Sequence, residues 1–280
     1  MDYPLPVFFA VLGAAALHAS WNALVRAGGN PLLHTAALVI WTGVIGLPIA
    51  LTIGPPDPAS WPWLAASVVI HVFYYFTLAR AYTHGALSVI YPIVRGGAPL
   101  FVSLGSLVII GESPSLLGWV GVILISLGVL GIAFKADLRH ARVALGWALT
   151  CSLTIAIYSV VDGVGARLSS NVLAFTAWMF MLEGLLFIVL LSLAGQGRAL
   201  AQYIRQRTKV TAICGVLSAV GYGTVLWAMT QAPIALVSAT RETSVLFAAL
   251  IGVWFMHERL TPRQWSGALI IVLGLLALRL

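Results

Sequence analysis

Sliding the chain by 146 positions lays its second half over its first. The shift pairs Arg95 with Arg241, Leu100-Phe101 with Leu246-Phe247, Glu112 with Glu258, Trp119 with Trp265 and Gly121 with Gly267. Both halves are strongly apolar: 61% of the 280 residues are hydrophobic, 8% are charged, and the mean hydropathy is +1.02. A soluble domain carries about 25% charged residues, so this chain cannot clothe itself in a water-facing surface. Apolar runs near the ~20 residues that cross a ~30 Å hydrocarbon core recur instead. Internal repeats in such a chain are how many secondary transporters are built, with the substrate site at the repeat interface near the bilayer midplane.

Ten helical spans are expected, near 5–25, 32–53, 61–82, 86–109, 115–134, 143–164, 171–194, 209–229, 233–256 and 263–279. Turn chemistry separates them: Gly28-Gly29-Asn30-Pro31, Gly54-Pro55-Pro56-Asp57-Pro58, Gly111-Glu112-Ser113-Pro114, and the run from His257 to Pro262. Five spans per half is an odd number, so the second half enters the membrane from the opposite side. The expected fold is therefore an all-α polytopic membrane protein of ten transmembrane helices. Residues 1–137 and 138–280 form its two inverted five-helix repeats. The early spans match less well, Trp21 aligning with Tyr158 at a shift of 137, and the longer connection from Gly195 to Lys209 absorbs the difference.

The net charge of +7 sits mostly in short connections. Arg26, Lys135, Arg139, Arg142, Arg198, Arg205, Arg207, Lys209, Arg259 and Arg263 border odd-numbered connections, whereas Arg167 and Arg279 border the other side. The positive-inside rule then places the odd connections in the cytoplasm and both termini outside. No basic run interleaved with aromatics points to nucleic acid. The N-terminus carries Asp2 and no basic n-region, so the first span is expected to be retained. Cys151 and Cys214 lie in apolar segments without metal or redox spacing and read as small apolar filler. No metal site and no cofactor are expected.

The duplicated turns Gly111-Glu112 and His257-Glu258, each followed by a short polar turn and a Gly-rich span, resemble the drug/metabolite transporter superfamily, and more narrowly the EamA family. The His18-Ala19-Ser20-Trp21-Asn22 stretch is similar to that family's early aromatic-polar motif. The resemblance covers essentially the whole chain. It implies a ten-helix inverted-repeat permease with a central cavity in a membrane, the inner membrane in a bacterium, transporting small metabolites, often outward. It also implies an orientation opposite to the charge count. The connection after the second span departs from the family, being Gly-Pro-Pro-Asp-Pro where a basic one is usual.

Arg95 and Arg241 lie at matching mid-span depth, roughly 12–15 Å from their helix starts at 1.5 Å per residue. An arginine there costs at least ~2.5–3.5 kcal/mol, so it must face a cavity or a partner. Either the two guanidiniums hold an anionic group by bidentate hydrogen bonds, or they pair structurally, with Glu242 the obvious partner. Tyr91, one turn before Arg95, shares its helix face and is a candidate cavity wall. Pro92 and Pro99 are expected to kink or break that span, and Gly96-Gly97 could form a hinge. His18 and Asn22 share a face in the first span with Trp21 beside them, and either line the cavity or bond a neighbouring helix.

Glu183, alone at mid-span, is a candidate proton acceptor; the alternative is a salt bridge with Arg80, Arg95 or Arg241. His71 with Tyr75 reads as structural, and Asp162 is expected to pair with Arg167 one turn beyond. Glu112 and Glu258 read as turn residues capping the helix that follows each of them. Gly118, Gly121, Gly128 and Gly131 are spaced for close helix packing.

Taken together, the expectation is a secondary transporter, a permease or exporter, of a small polar metabolite bearing a carboxylate or other anionic group such as a phosphonate, working by alternating access. Arg95, Arg241, Glu242, Tyr91, Trp21, Asn22 and His18 would bind substrate, and transport is a candidate for proton coupling through Glu183. The alternative is proton-coupled export of lipophilic cations. An intramembrane enzyme is remote: paired aspartates, HExxH and Ser/His/Lys clusters are missing, as is a Walker motif for ATP hydrolysis. A monomer or a homodimer would serve.

Overall fold

A computed structural model of the chain describes residues 3–27, 30–84, 87–133, 142–256 and 260–280. Helices joined by short turns make up these residues, with no strand among them: α1 (Leu5–Ala27), α2 (Pro31–Ile53), α3 (Trp61–His84), α4 (Leu87–Ile110), α5 (Leu116–Ala133), α6 (Arg142–Leu168), α7 (Val172–Leu193), α8 (Gly197–Gln206), α9 (Thr208–Gln231), α10 (Ile234–Arg241), α11 (Ser244–Met256) and α12 (Pro262–Arg279). Eight helical stretches are long and apolar enough to cross a membrane, counting α10 with α11 as one, and α5 adds a shorter apolar helix. The outer surface carries large apolar side chains such as Leu51, Phe73, Val108 and Leu193. Those belong against lipid rather than water.

Local chemistry sets the ends. Asn30 accepts from Leu33 N at 3.1 Å and Pro31 opens α2, while Asn171 accepts from Leu173 N and Ala174 N at the start of α7. Gly54, Gly111 and Gly195 take positive φ of 86°, 68° and 73° where α2, α4 and α7 end, a conformation that suits glycine. Thr261 and Gln264 form a reciprocal capping box at α12.

The predicted spans fall on observed helices, with three differences. The connection between Gly195 and Lys209 folds into α8, an amphipathic ten-residue helix whose Leu200 is buried. The ninth span is interrupted: α10 stops at Arg241 and α11 starts at Ser244. Pro92 and Pro99, by contrast, leave α4 one helix.

α5 and α12 pack antiparallel through glycines. A Cβ on Gly121 would stand 2.8 Å from Gly274 O, and one on Gly128 would stand 2.8 Å from Gly267 O. Real Cβ atoms do not approach so closely, so the backbones touch because side chains are missing. The 146-residue shift exchanges Gly121 with Gly267 and Gly128 with Gly274. Each glycine thus faces the counterpart of its neighbour, the reciprocal contact of elements exchanged by a two-fold axis. α2 and α7 meet similarly at Gly43 and Gly184, the Cβ position on Gly184 being 3.0 Å from Gly43 Cα. Inside this frame α1 packs on α9 while α3 and α4 pack on α6. Two polar clusters occupy the space between.

Candidate functional site

The first cluster forms where α10 ends. Thr240 Oγ1 bonds back to Leu236 O at 2.9 Å and Thr243 Oγ1 to Thr240 O at 2.7 Å, a local competition that bends helices. Across the interruption the backbone keeps bonded with tighter i to i−3 links: Glu242 N to Ala239 O, Thr243 N to Thr240 O, Val245 N to Glu242 O and Leu246 N to Thr243 O. Such a stretch inside a span often marks a hinge. It turns Glu242 across to α4, where its Oε2 lies 2.8 Å from Arg95 Nε. Arg95 Nη2 also donates to Ser244 Oγ at 3.0 Å.

Arg241 Nη2 lies 3.7 Å from the other oxygen, Glu242 Oε1. All three are deeply buried, Arg95 at 6%, Arg241 at 4% and Glu242 at 0% exposure. One carboxylate thus serves two guanidiniums, leaving a surplus positive charge. Arg241 Nη2 reaches Glu242 only at that long distance, and Arg241 Nε has no hydrogen-bond acceptor among the described residues. A buried donor left unbonded costs about 1–3 kcal/mol, and more when charged.

His18, partly buried on α1, lies within electrostatic reach of both arginines. Its ring meets Trp21 edge-on at 4.8 Å, and Asn22 Nδ2 donates back to His18 O at 2.8 Å. Tyr91 sits one turn before Arg95 on α4, and its side chain lies outside the described residues. The structure therefore gathers Arg95, Arg241, Glu242 and His18, with Trp21 beside them.

The second cluster draws titratable groups from four helices. His71 of α3 places Nδ1 3.0 Å from Glu183 Oε1 of α7, and Nε2 4.0 Å from Asp162 Oδ2 of α6. Tyr222 of α9 donates its hydroxyl to Asp162 Oδ2. Tyr158 stacks on His71 with ring centres 4.3 Å apart. Exposure is 7% for His71 and Glu183 and 0% for Asp162.

These contacts replace several expected ones. Glu183 meets His71, not Arg80, Arg95 or Arg241. Arg80 lies over the Trp147 ring. Asp162 takes His71 and Tyr222, because Arg167 turns to Glu112, with guanidinium nitrogens 3.3–3.4 Å from the carboxylate. Glu112 does serve a helix start, but α10's rather than α5's: its Oε2 accepts from Ile234 N at 3.2 Å, while Ser115 Oγ accepts from Gly118 N at α5. Arg167 also donates to Met229 O and Ala232 O, so the pair clamps the α9–α10 turn. Glu258 lies outside the described residues.

His71, Tyr222, Asp162 and Ser244 joined the two clusters without being assigned to them from sequence. The available signal was a lone polar residue in an apolar span, which marks importance without naming a partner. Among the described residues no group of three or more His, Cys, Asp or Glu side chains is arranged to hold a metal ion.

Residues 142–280 match the family model of the EamA-like transporter family. No curated protein matches the chain in sequence. Among solved structures, one protein crystal structure superimposes with a TM-score of 0.78 over 97% of this chain and 96% of that one, at 16% identity. At that identity the likeness shows a shared fold across the whole length, the unmatched first half included.

Proposed function

Because this chain belongs to the EamA-like transporter family and is an integral membrane transporter, we propose that it is a secondary transporter of a small anionic, carboxylate-bearing metabolite, working by alternating access between residues 1–137 and 138–280. The observation that carries this reading is the surplus charge at the centre. Arg241 holds Glu242 only at 3.7 Å and has a buried Nε without an acceptor among the described residues, and a carboxylate matches that planar fork. Arg95 is the steadier partner, tied to Glu242 and Ser244, and positions the carboxylate that Arg241 shares. His18, Trp21 and Asn22 form the surrounding wall, and Tyr91 stands one turn before Arg95 on α4. The tight turns at Glu242 and Thr243 are the flexible point of the second half, and the reciprocal α5–α12 crossing supports two inverted repeats rocking about one axis.

A thermal-shift screen of the purified protein against small carboxylates, phosphonates, amino acids and lipophilic cations tests it. Stabilisation by an anion, abolished in Arg241→Gln and weakened in Arg95→Gln, is the expected result. A second reading, proton-coupled export of lipophilic cations with Glu183 as acceptor, draws on the acidic cluster and on an apolar cavity of about 380 Å³. That cavity lies between α2, α7 and α9, with Phe180 and Trp227 in its wall. Stabilisation by cations alone, undisturbed in both arginine variants, would favour it and reject the anion.

A further inference from the structure

The four-helix acidic cluster is unlike an ordinary buried ion pair. With His71 protonated and both carboxylates ionised it carries one net negative charge; with neutral imidazole it carries two. Arginine and lysine do not pair with it among the described contacts: Glu183 Oε1 meets the His71 ring, and Asp162 is held by Tyr222, Ser67 and His71. Arg241 acts on Asp162 only at longer range, with no direct contact described, so the negative charge stays costly to bury. One added proton makes the cluster neutral from the first of these states and leaves one negative charge from the second.

We propose that His71, Asp162 and Glu183 together form a proton-binding site, and that its proton crosses the membrane with the anion, in the same direction. The step is a simple protonation: a proton from water adds to a carboxylate or imidazole of the cluster and leaves to water on the far side, and no other bond changes.

The direction follows from the neighbours. Ser67 and Tyr75 of α3, Tyr158 of α6 and Tyr222 of α9 face the cluster and are neutral. Arg241, at the end of α10, is within electrostatic reach of Asp162. Tyr158, stacked on His71, lies within reach of Arg95 of α4, Arg241 and Glu242 as well. His18 of α1 belongs to the arginine side. The titratable group of α2, His34, contacts Tyr203 of α8 instead. The surplus positive charge at the arginines therefore opposes proton binding. An anion seated there cancels it and favours the proton, and by linkage the proton favours the anion equally. A cationic substrate would have the opposite effect and displace the proton.

This rests on the anion reading, yet its first test needs no substrate. Infrared difference spectra of the full chain in nanodiscs, titrated from acid to alkaline, should show a protonated carboxyl band that Glu183→Gln or Asp162→Asn removes. In Arg241→Gln, which mimics the charge cancelled by an anion, the band should persist to a proton concentration on the order of tenfold lower. If Arg241→Gln fails to fold, Arg95→Gln should move the band the same way. If neither carboxyl variant folds, His71→Gln must move the titration.

No titrating band, or a band that neither arginine variant nor His71→Gln moves, overturns the proposal while leaving the anion screen standing. With an anion from that screen, weakly buffered protein should take up about half a proton per anion bound near the midpoint of the titration, the most that a tenfold shift gives. Anion binding without proton uptake sinks the coupling alone. Proton release on cation binding sinks both.

Discussion

The fourth span and its counterpart 146 residues later carry an arginine at the same place and fold differently around it. In α4 the positions after Arg95 are Gly96 and Gly97, and both are used for contact. A Cβ on Gly96 would meet Leu130 Cγ at 2.8 Å and Ser126 O at 3.2 Å, and one on Gly97 would meet Ser152 Oγ at 2.6 Å. α4 therefore lies tight against α5 and α6 and stays a single helix despite two prolines. In the second half those positions are Glu242 and Thr243, and Val94 is replaced by Thr240. Threonine back-bonds loosen the helix into tighter turns and the carboxylate reaches across to Arg95. What distinguishes the two halves is thus not proline, whose missing N–H neighbouring helices can accommodate. It is a polar group that competes with the backbone. The first-half segment is held by close packing, and the second-half segment carries a carboxylate and an interrupted helix.

Breaking the charged side of this contrast should cost most. Glu242→Gln leaves two buried guanidiniums without their shared carboxylate, and the thermal midpoint should drop by the equivalent of ~3–5 kcal/mol. A midpoint near wild type would mean that Glu242 holds nothing together. The close-packed side comes next. Gly96→Val must push α4 away from Ser126 O, at a cost of about 1–3 kcal/mol in the same melt. Tolerance without loss would show that α4 is not tightly held.

Glu112→Gln separates the clamp from the centre. The pair is partly exposed, and its loss weakens one ion pair and one helix-start bond for about 1–2 kcal/mol. Binding of an anion in the thermal-shift screen should survive it. The smallest effect on stability should come from Thr243→Ala, within about 1 kcal/mol, yet transport in proteoliposomes should fall severalfold if the turn is a hinge. Unchanged transport would make the interruption a packing detail.

Much of the frame was legible from residues alone. Apolar runs and Gly/Pro turns placed the spans, because crossing a bilayer demands length and apolarity whatever the partners. The paired arginines and glycines were visible in the repeat. What escaped detection depends on contacts between distant helices. Asp162 had Arg167 one turn away, and nothing local reveals that Arg167 is taken by Glu112 and two carbonyls of the α9–α10 turn. Glu183 meets His71 over 100 residues earlier, a pairing set by how α7 and α3 pack. The interruption at Glu242 was hidden because α10 and α11 read as one apolar span, and α8 because a ten-residue amphipathic stretch looks like a connection.

Counterflow in proteoliposomes tests the central claim most directly, using a radiolabelled anion that stabilises the wild-type protein. Wild type should exchange the anion, and Arg241→Gln, folded and inserted to the same extent, should lose exchange by two orders of magnitude or about 3 kcal/mol. Exchange in Arg241→Gln at the wild-type rate would contradict the account and leave the two arginines as structural partners of Glu242.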